Sequence, residues 1–282
     1  MIGGKTVSGF VITHNEQDDI ADCLESIKWV DELTVVDSYS TDATAEIARR
    51  YTDRILEHEF AGHVAQTRFA FEQTTCDWVL WLDADERLTQ EATEEVRRIF
   101  EEHGGPACDG FAFPRKTFFL GRWITHGGWY PQHKLRLMRR AAARIEGEEP
   151  HPEASVEGRV RRLQGDILHL SYPGGIIEYV QRSAKYADIA ARGRLARGKR
   201  ASAAGLVLNP AFVFLKSYVL KLGLLDGVPG LAVAAGTAYH RFIRDIRMRE
   251  LARGQEAAEP RVSFEGQQLQ GARGSLKGEK RS

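Results

Sequence analysis

With 282 residues, 43% of them hydrophobic and 28% charged, the chain is long enough for one large domain, or for one domain plus an appendage. Acidic and basic residues balance at 39 each, which leaves no electrostatic basis for bulk nucleic-acid binding. The three cysteines, Cys23, Cys76 and Cys108, are widely spaced and form no CxxC pair, so a reducing compartment is expected rather than a disulfide framework or a cysteine zinc site.

The opening "MIGGKTVSGFVITHN" has no basic segment followed by a long apolar core, so no signal peptide is expected and the protein is placed in the cytoplasm. Val7–Thr13 reads as a short buried strand, followed by a helix with Ile20, Cys23, Leu24 and Ile27 on one face. Leu33–Asp37 is a second strand, Asp42–Tyr51 a helix, Arg54–Leu56 a brief strand and His63–Gln73 a helix. "DWVLWLD" is the next strand and Gln90–Glu102 the next helix. This alternation predicts a mostly parallel sheet with helices on both faces, and ligands in such sheets sit beyond the carboxyl ends of the strands. Three polar clusters, Thr13–Glu16, Asp37–Asp42 and Asp83–Glu86, fall at those ends.

From Asp109 to about Leu170, strand-like pieces separated by Gly- and Pro-rich turns read as an antiparallel extension. Tyr179–Arg200 reads as a basic helix, with six basic residues against one acidic between Lys185 and Arg200. Ala201–His240 is the most apolar segment, interrupted only by Lys216, Lys221 and Asp226. Neither uncharged run in it reaches the roughly 18–20 residues that cross a bilayer. Two readings stand: a helix pair packed on the core or in a dimer interface, or a hairpin lying in a membrane surface. Residues 250–282 are polar and almost free of large apolar groups, so a disordered tail is expected.

The strongest local signal is "LDADE", ending a run of large apolar residues. Asp83 and Asp85, at i and i+2 of an extended segment, point the same way and can converge on one ion; a solvated turn is the plainer reading. Hard divalent cations choose such oxygens and complete their shells with diphosphate and water. In "VVDSYSTDAT", Thr41 or Asp42 serves as a helix cap, which does not account for Asp37, an acid placed to accept hydrogen bonds from a nucleobase or ribose. Asn15 can cap the next helix, leaving Glu16 spare.

Together "VITHNE", "VVDSYSTDAT" and "WVLWLDADE" resemble a family-2 glycosyltransferase over about the first 90 residues. The resemblance implies a GT-A fold (α/β, a Rossmann-like mixed sheet), a nucleotide-diphospho-sugar donor and a divalent metal, Mg²⁺ or Mn²⁺. Thr13, Asn15, Glu16, Asp37 and Ser38 would line the nucleotide pocket, Asp83 would approach ribose, diphosphate and metal, and Asp85 would be the direct metal ligand. "GRWITHGGWYPQHKLRLMRR", "PHPEASVEG", "GDILHLSY" and "FLKSYVLKLGLLDGVPGL" are similar to a bacterial branch that builds the lipopolysaccharide core, often by moving glucose onto a heptose. That similarity implies a UDP-sugar donor, a lipid-linked or lipopolysaccharide-core acceptor, and peripheral contact with the cytoplasmic face of the inner membrane. It divides the chain into a catalytic domain over residues 1–175, a basic and apolar helical, membrane-associating extension over residues 176–249, and the tail. Within the catalytic domain, residues 1–105 would bind the nucleotide-sugar and residues 106–175 the acceptor. One departure is His151-Pro152-Glu153 where the branch commonly shows His-Glu.

An inverting transfer needs a base for the acceptor hydroxyl. Glu153 is the candidate, with Glu148 and Glu149 as neighbouring rivals. His151 and His169 are candidates to steer phosphate or complete a metal shell, and Arg115 and Arg136 to clamp a diphosphate, with structural pairing as the alternative for each. Trp129 and Tyr130 are candidates to stack on a sugar or to pack.

Overall fold

The apolar runs of the first 90 residues become strands covered on both faces, which is why they read as continuous rather than alternating. The structure, a computed structural model, describes residues 1–102, 105–149 and 151–254. Strands β1 (Val7–Thr13), β2 (Glu32–Asp37), β3 (Ile55–Glu57) and β4 (Trp78–Asp83) pair in parallel in the order β3-β2-β1-β4. They are connected by α1 (Ile20–Ile27), α2 (Thr44–Ala48) and α3 (His63–Glu72). Helix α1 buries Ile20, Cys23, Leu24 and Ile27, the face its periodicity predicts. Helix α2 is shorter than the expected Asp42–Tyr51. Asp42 accepts from the Thr44 amide at 2.9 Å, and the Arg50 and Tyr51 amides turn to carbonyls three residues back.

Strand β4 stops at Asp83; Ala84 and Asp85 form a turn and β5 (Glu86–Leu88) leaves in a new direction. Helix α4 (Gln90–Glu101) starts at Thr89, whose hydroxyl accepts from the Ala92 amide at 3.2 Å. Then β6 (Gly110–Phe119), β7 (Arg122–Trp123), β8 (Gln132–Arg139), β9 (Ala143–Glu148), β10 (His151–Val156), β11 (Val160–Arg162) and β12 (Ile167–His169) follow. Strand β8 runs antiparallel between β4 and β6, and β12 lies between β6 and β5, giving a mixed sheet ordered β3-β2-β1-β4-β8-β6-β12-β5. Strands β7 and β11 pair with β6, and β9 and β10 form a separate antiparallel pair.

Trp78 anchors the main core, with ring centroids 5.0 Å from Phe100 and 5.6 Å from Phe111. Phe10, Val79, Trp81 and Met138 form a second cluster. A third cluster, Phe119, Ile124, Tyr179 and Val233, joins the sheet to the C-terminal helices α5 (Gly175–Ala196) and α7 (Gly227–Ala252), and α6 (Gly205–Leu215) packs on α7. A π-helical turn (Lys216–Leu220) and a 3₁₀ turn (Gly223–Asp226) make an elbow between α6 and α7. The aromatic ring of Tyr179 presses on Gly236, where an added Cβ would lie 2.1 Å from it. Helix α7 carries on through Ala252, so the segment expected to be a tail from residue 250 begins as helix; the expectation for 255–282 falls outside the described residues.

Candidate active site

Parallel register brings three strand ends together: Thr13 pairs with Asp37, and Ile12 with Asp83. The loops after β1 and β2 are then stapled to each other. Asn15, at φ 56°, accepts from the Thr41 amide at 2.8 Å, and its own amide donates to the Ser40 hydroxyl at 2.9 Å. Asp37 is buried and accepts from the Ser40 amide at 3.0 Å and from the Ser40 hydroxyl. The Ser38 amide donates to the Thr13 carbonyl at 2.9 Å, and Gln66 Nε2 donates to the Ser38 hydroxyl at 3.0 Å. Asn15, Asp37 and Ser38 thus shape the rim by holding loops. The Thr13 hydroxyl is buried beneath that rim with no partner among the described residues.

Glu16 stands apart. Its backbone is fixed by the Thr44 hydroxyl at 2.8 Å, yet its carboxylate makes no hydrogen bond among the described residues. Burial, and then the nearby Asp85 carboxylate, push its pKa up to about 7, against the opposing pull of Arg182.

The acids of "LDADE" divide three ways. Because β4 ends at Asp83, the alternation that would aim Asp83 and Asp85 together does not reach Asp85. Asp83 accepts from Trp81 Nε1 at 3.1 Å and from Arg136 at 2.8 Å, so both its oxygens are engaged. Glu86 is fully buried and accepts from Arg136 at 2.9 Å and from Arg115 at 3.3 Å. The two guanidinium groups hold its pKa below the usual carboxylate range despite burial. Arg136, only 4% exposed, also lies 3.9 Å over the Trp81 ring. Of the two readings for Arg136, the structure supplies the partners for structural pairing, Asp83 and Glu86, and Arg136 thereby orders the acidic turn.

Asp85 faces the remaining direction. Its carbonyl accepts from the Leu170 amide at 3.0 Å, fixing the turn against β12, and its carboxylate lies 3.2 Å from His169 Nε2. The other nitrogen of His169 faces the Thr117 hydroxyl at 3.4 Å. Next to them opens a cleft of about 200 Å³ lined by Arg115, Thr117, Trp129, Gln132, His169 and Tyr172. A larger groove of about 480 Å³ at α4 and Gln164–Gly165 carries no comparable chemistry: its Glu95 caps the Gln164 and Gly165 amides.

The rival bases separate by their partners. Glu149 accepts from the His63 and Val64 amides at 2.9 and 2.8 Å, capping α3, and Glu148 pairs with Arg197 at 2.6 Å. Glu153, exposed on β10, has no ion pair or side-chain hydrogen bond among the described residues. Burial holds the pKa of Lys134 and of His151 below their ordinary values, and Glu153 lies close enough to both to oppose that lowering. His151 packs edge-on to Tyr186, with ring centroids 5.3 Å apart, rather than reaching Asp85. Tyr130 donates to Asp166 at 3.0 Å, so of the aromatic pair only Trp129 lines the cleft.

The donor set at Asp85 and His169 suits a hard divalent ion that takes most of its shell from substrate and water. The carboxylate of Glu16, crowded by Asp85, is a like-charge strain that a cation relieves. Among the described residues no cluster of three or more protein ligands occurs, so a protein-only cage is absent there. Three participants escaped the sequence reading: the anchor role of Glu86, the Trp81 indole, and Arg182, which α5 brings to the edge of the site within reach of Glu16. A usable signal existed for Glu86: two arginines at strand positions in a buried sheet demand an acid between them.

A ten-stranded mixed sheet with donors gathered at parallel strand ends defines a GT-A-like α/β fold. The family model for Glycosyl transferase family 2 matches residues 8–151. An uncharacterized glycosyltransferase of Rickettsia typhi is 30% identical over 261 residues, covering 88% of each chain. The lipopolysaccharide core biosynthesis glycosyltransferase LpsC of Rhizobium meliloti is 28% identical over 250 residues, covering 86% of this chain and 92% of its own. A crystal structure of S. aureus TarS has 15% identity, covers 89% of this chain and 92% of that one, and superposes with a TM-score of 0.46. The chain belongs to glycosyl transferase family 2 and is a glycosyltransferase.

Proposed function

We propose that the protein transfers a hexose such as glucose, with inversion, from a UDP-sugar to a lipid-linked lipopolysaccharide-core acceptor. The observation that carries this reading is the meeting of Asp85, His169 and Glu16 at the strand ends beside an open, Trp129-lined cleft. The donor's nucleotide lies along the stapled loops over Thr13, Asn15, Asp37 and Ser38, and the unpartnered Thr13 hydroxyl is available to it. Trp129 offers a flat apolar face to a sugar ring. The relative named for lipopolysaccharide core biosynthesis supports an acceptor of that class.

Asp85 and His169 would hold Mg²⁺ or Mn²⁺, which supplies charge stabilisation to the departing diphosphate. Glu153, unengaged where its neighbours are not, takes the proton of the acceptor hydroxyl as that oxygen bonds the anomeric carbon. The bond from that carbon to the diphosphate breaks, and its electron pair leaves with UDP. The buried Arg136–Glu86–Arg115 set keeps the Asp85 turn from relaxing, so the ligand geometry is held before substrate arrives.

The test is incubation of the purified chain with UDP-glucose, Mn²⁺ and a heptose-terminated core oligosaccharide, reading the anomeric configuration of the product by NMR. A β-linked product, lost in Glu153→Gln, is expected. An α-linked product, or full activity of that variant, overturns the mechanism. Binding of UDP and Mn²⁺ with no transfer to any acceptor would leave a nucleotide-sugar-binding protein instead.

A further inference from the structure

Exposed apolar side chains are concentrated in one place. Of the twenty large ones exposed among the described residues, eleven lie between Val207 and Leu231, including Leu208 at 66%, Phe212 at 59%, Leu220 at 68% and Val228 at 75% exposure. Helix α6 contributes no buried residue at all. A surface of this kind in water asks for a cover.

Charge narrows what that cover is. The charged residues between 201 and 240 are Lys216, Lys221 and Asp226. Both lysines are exposed, whereas Asp226 is fully buried, accepting from the Thr125 amide at 3.1 Å and the His126 amide at 2.8 Å. The apolar surface is therefore studded with cations and shows no anion of its own. Geometry bears on it too: no single described helix is long and apolar enough to cross a membrane, and Gly205–Leu220 and Gly223–Ala252, which reach that length and composition only together, are bent by 71°. A bent, half-exposed element suits lying in an interface rather than spanning one.

We infer that the α6–elbow surface docks on an anionic lipid bilayer, with Leu208, Phe212 and Leu220 entering the acyl boundary and Lys216 and Lys221 meeting the headgroups. The sequence expectation drew the basic attraction from α5, and these lysines add to it. Arg192 pairs with Asp188 and Arg197 with Glu148, whereas Lys185, Lys199 and Arg200 are exposed and make no ion pair among the described residues. Docking also has a direction. The Gly127 amide donates to the Lys221 carbonyl at 2.9 Å, the Ser217 hydroxyl donates to the Gly127 carbonyl at 2.8 Å, and Asp226 grips Thr125 and His126. Two residues on, Trp129 lines the cleft, so the elbow brings the cleft to the lipid surface.

The test is flotation of the full-length chain with phosphatidylglycerol-containing vesicles, with pure phosphatidylcholine vesicles, and with a triple variant Leu208→Ser, Phe212→Ser, Leu220→Ser. Because those side chains are exposed, the variant keeps its fold, checked by circular dichroism. Co-flotation with the anionic vesicles, weakened by high salt and at least about tenfold weaker in the variant, is expected. No flotation, or flotation unaffected by the variant, overturns the inference. A dimer in light scattering that the variant dissociates overturns it too, because a second copy is then the cover. None of these readouts depends on donor, metal or transfer, so the docking surface and the proposed reaction stand or fall separately.

Discussion

Replacing Glu16 by Gln removes a charge that the fold holds at a cost. The side chain makes no hydrogen bond among the described residues, so Gln keeps its shape and breaks nothing, and its backbone bond from Glu16 N to Thr44 is untouched. Its pKa stands at about 7 in the folded chain against an ordinary value of 4.5. At full weight such a displacement is worth roughly 3 kcal/mol, and partial exposure screens it to about 1–2 kcal/mol. The sign follows from proton binding: between about pH 4.5 and 7 the folded state retains a proton that the unfolded chain has released, so the wild type loses stability as pH rises through this window. Glu16→Gln is therefore expected to match the wild type near pH 4.5 and to exceed it by about 1–2 kcal/mol at pH 8, on the order of 2–8 °C in Tm. The assay is denaturant unfolding at both pH values with chelator present. Adding Mn²⁺ should then narrow the gap, because a cation beside Asp85 offsets the same repulsion. A variant no more stable than the wild type at pH 8, or an advantage equally large at pH 4.5, would refute the reasoning.

The other expectations concern how the site is held. Arg136→Met leaves Glu86 buried beside Arg115 alone, so a loss of about 3–5 kcal/mol is expected in denaturant titrations, partly recovered by adding Glu86→Gln. Asp226→Ala strands the Thr125 and His126 amides and should cost about 1–3 kcal/mol for each; a loss under about 1 kcal/mol would deny that Asp226 anchors the elbow. The carboxyls at residues 149 and 153 should behave oppositely. Glu149→Ala costs about 1 kcal/mol of stability through the α3 cap, whereas Glu153→Gln stays within about 0.5 kcal/mol and lowers transfer by at least about 10²-fold.

The parallel half of the sheet was legible because its strands are continuous apolar runs and its helices carry one-faced patterns, as in Ile20, Cys23, Leu24 and Ile27. The gathering of polar residues at strand ends followed from that topology alone. What the chain order concealed was the direction in which each acid faces. Period-two reasoning holds only while a strand lasts, and β4 stops at Asp83, so Asp83 turns to Arg136 and Asp85 to His169. Arg136 and His169 lie 53 and 84 positions away from those acids, and nothing local in "LDADE" names them. The same limit applies to Glu149: a carboxylate in a charged loop looks free until α3 is found to begin beneath it. Likewise the basic composition of α5 and its i,i+4 pair of Asp188 with Arg192 were visible, but the pairing of Arg197 with Glu148 was not.

The proposed chemistry turns on Asp85, at the tip of the acidic turn, making nucleotide binding depend on a divalent ion. The decisive measurement is calorimetric titration of UDP into the wild type and Asp85→Ala, each with Mn²⁺ and with chelator. Mn²⁺ is expected to tighten UDP binding to the wild type, and Asp85→Ala, still folded by circular dichroism, to lose that enhancement. Equal Mn²⁺ enhancement in both proteins, or none in the wild type, would contradict the assignment.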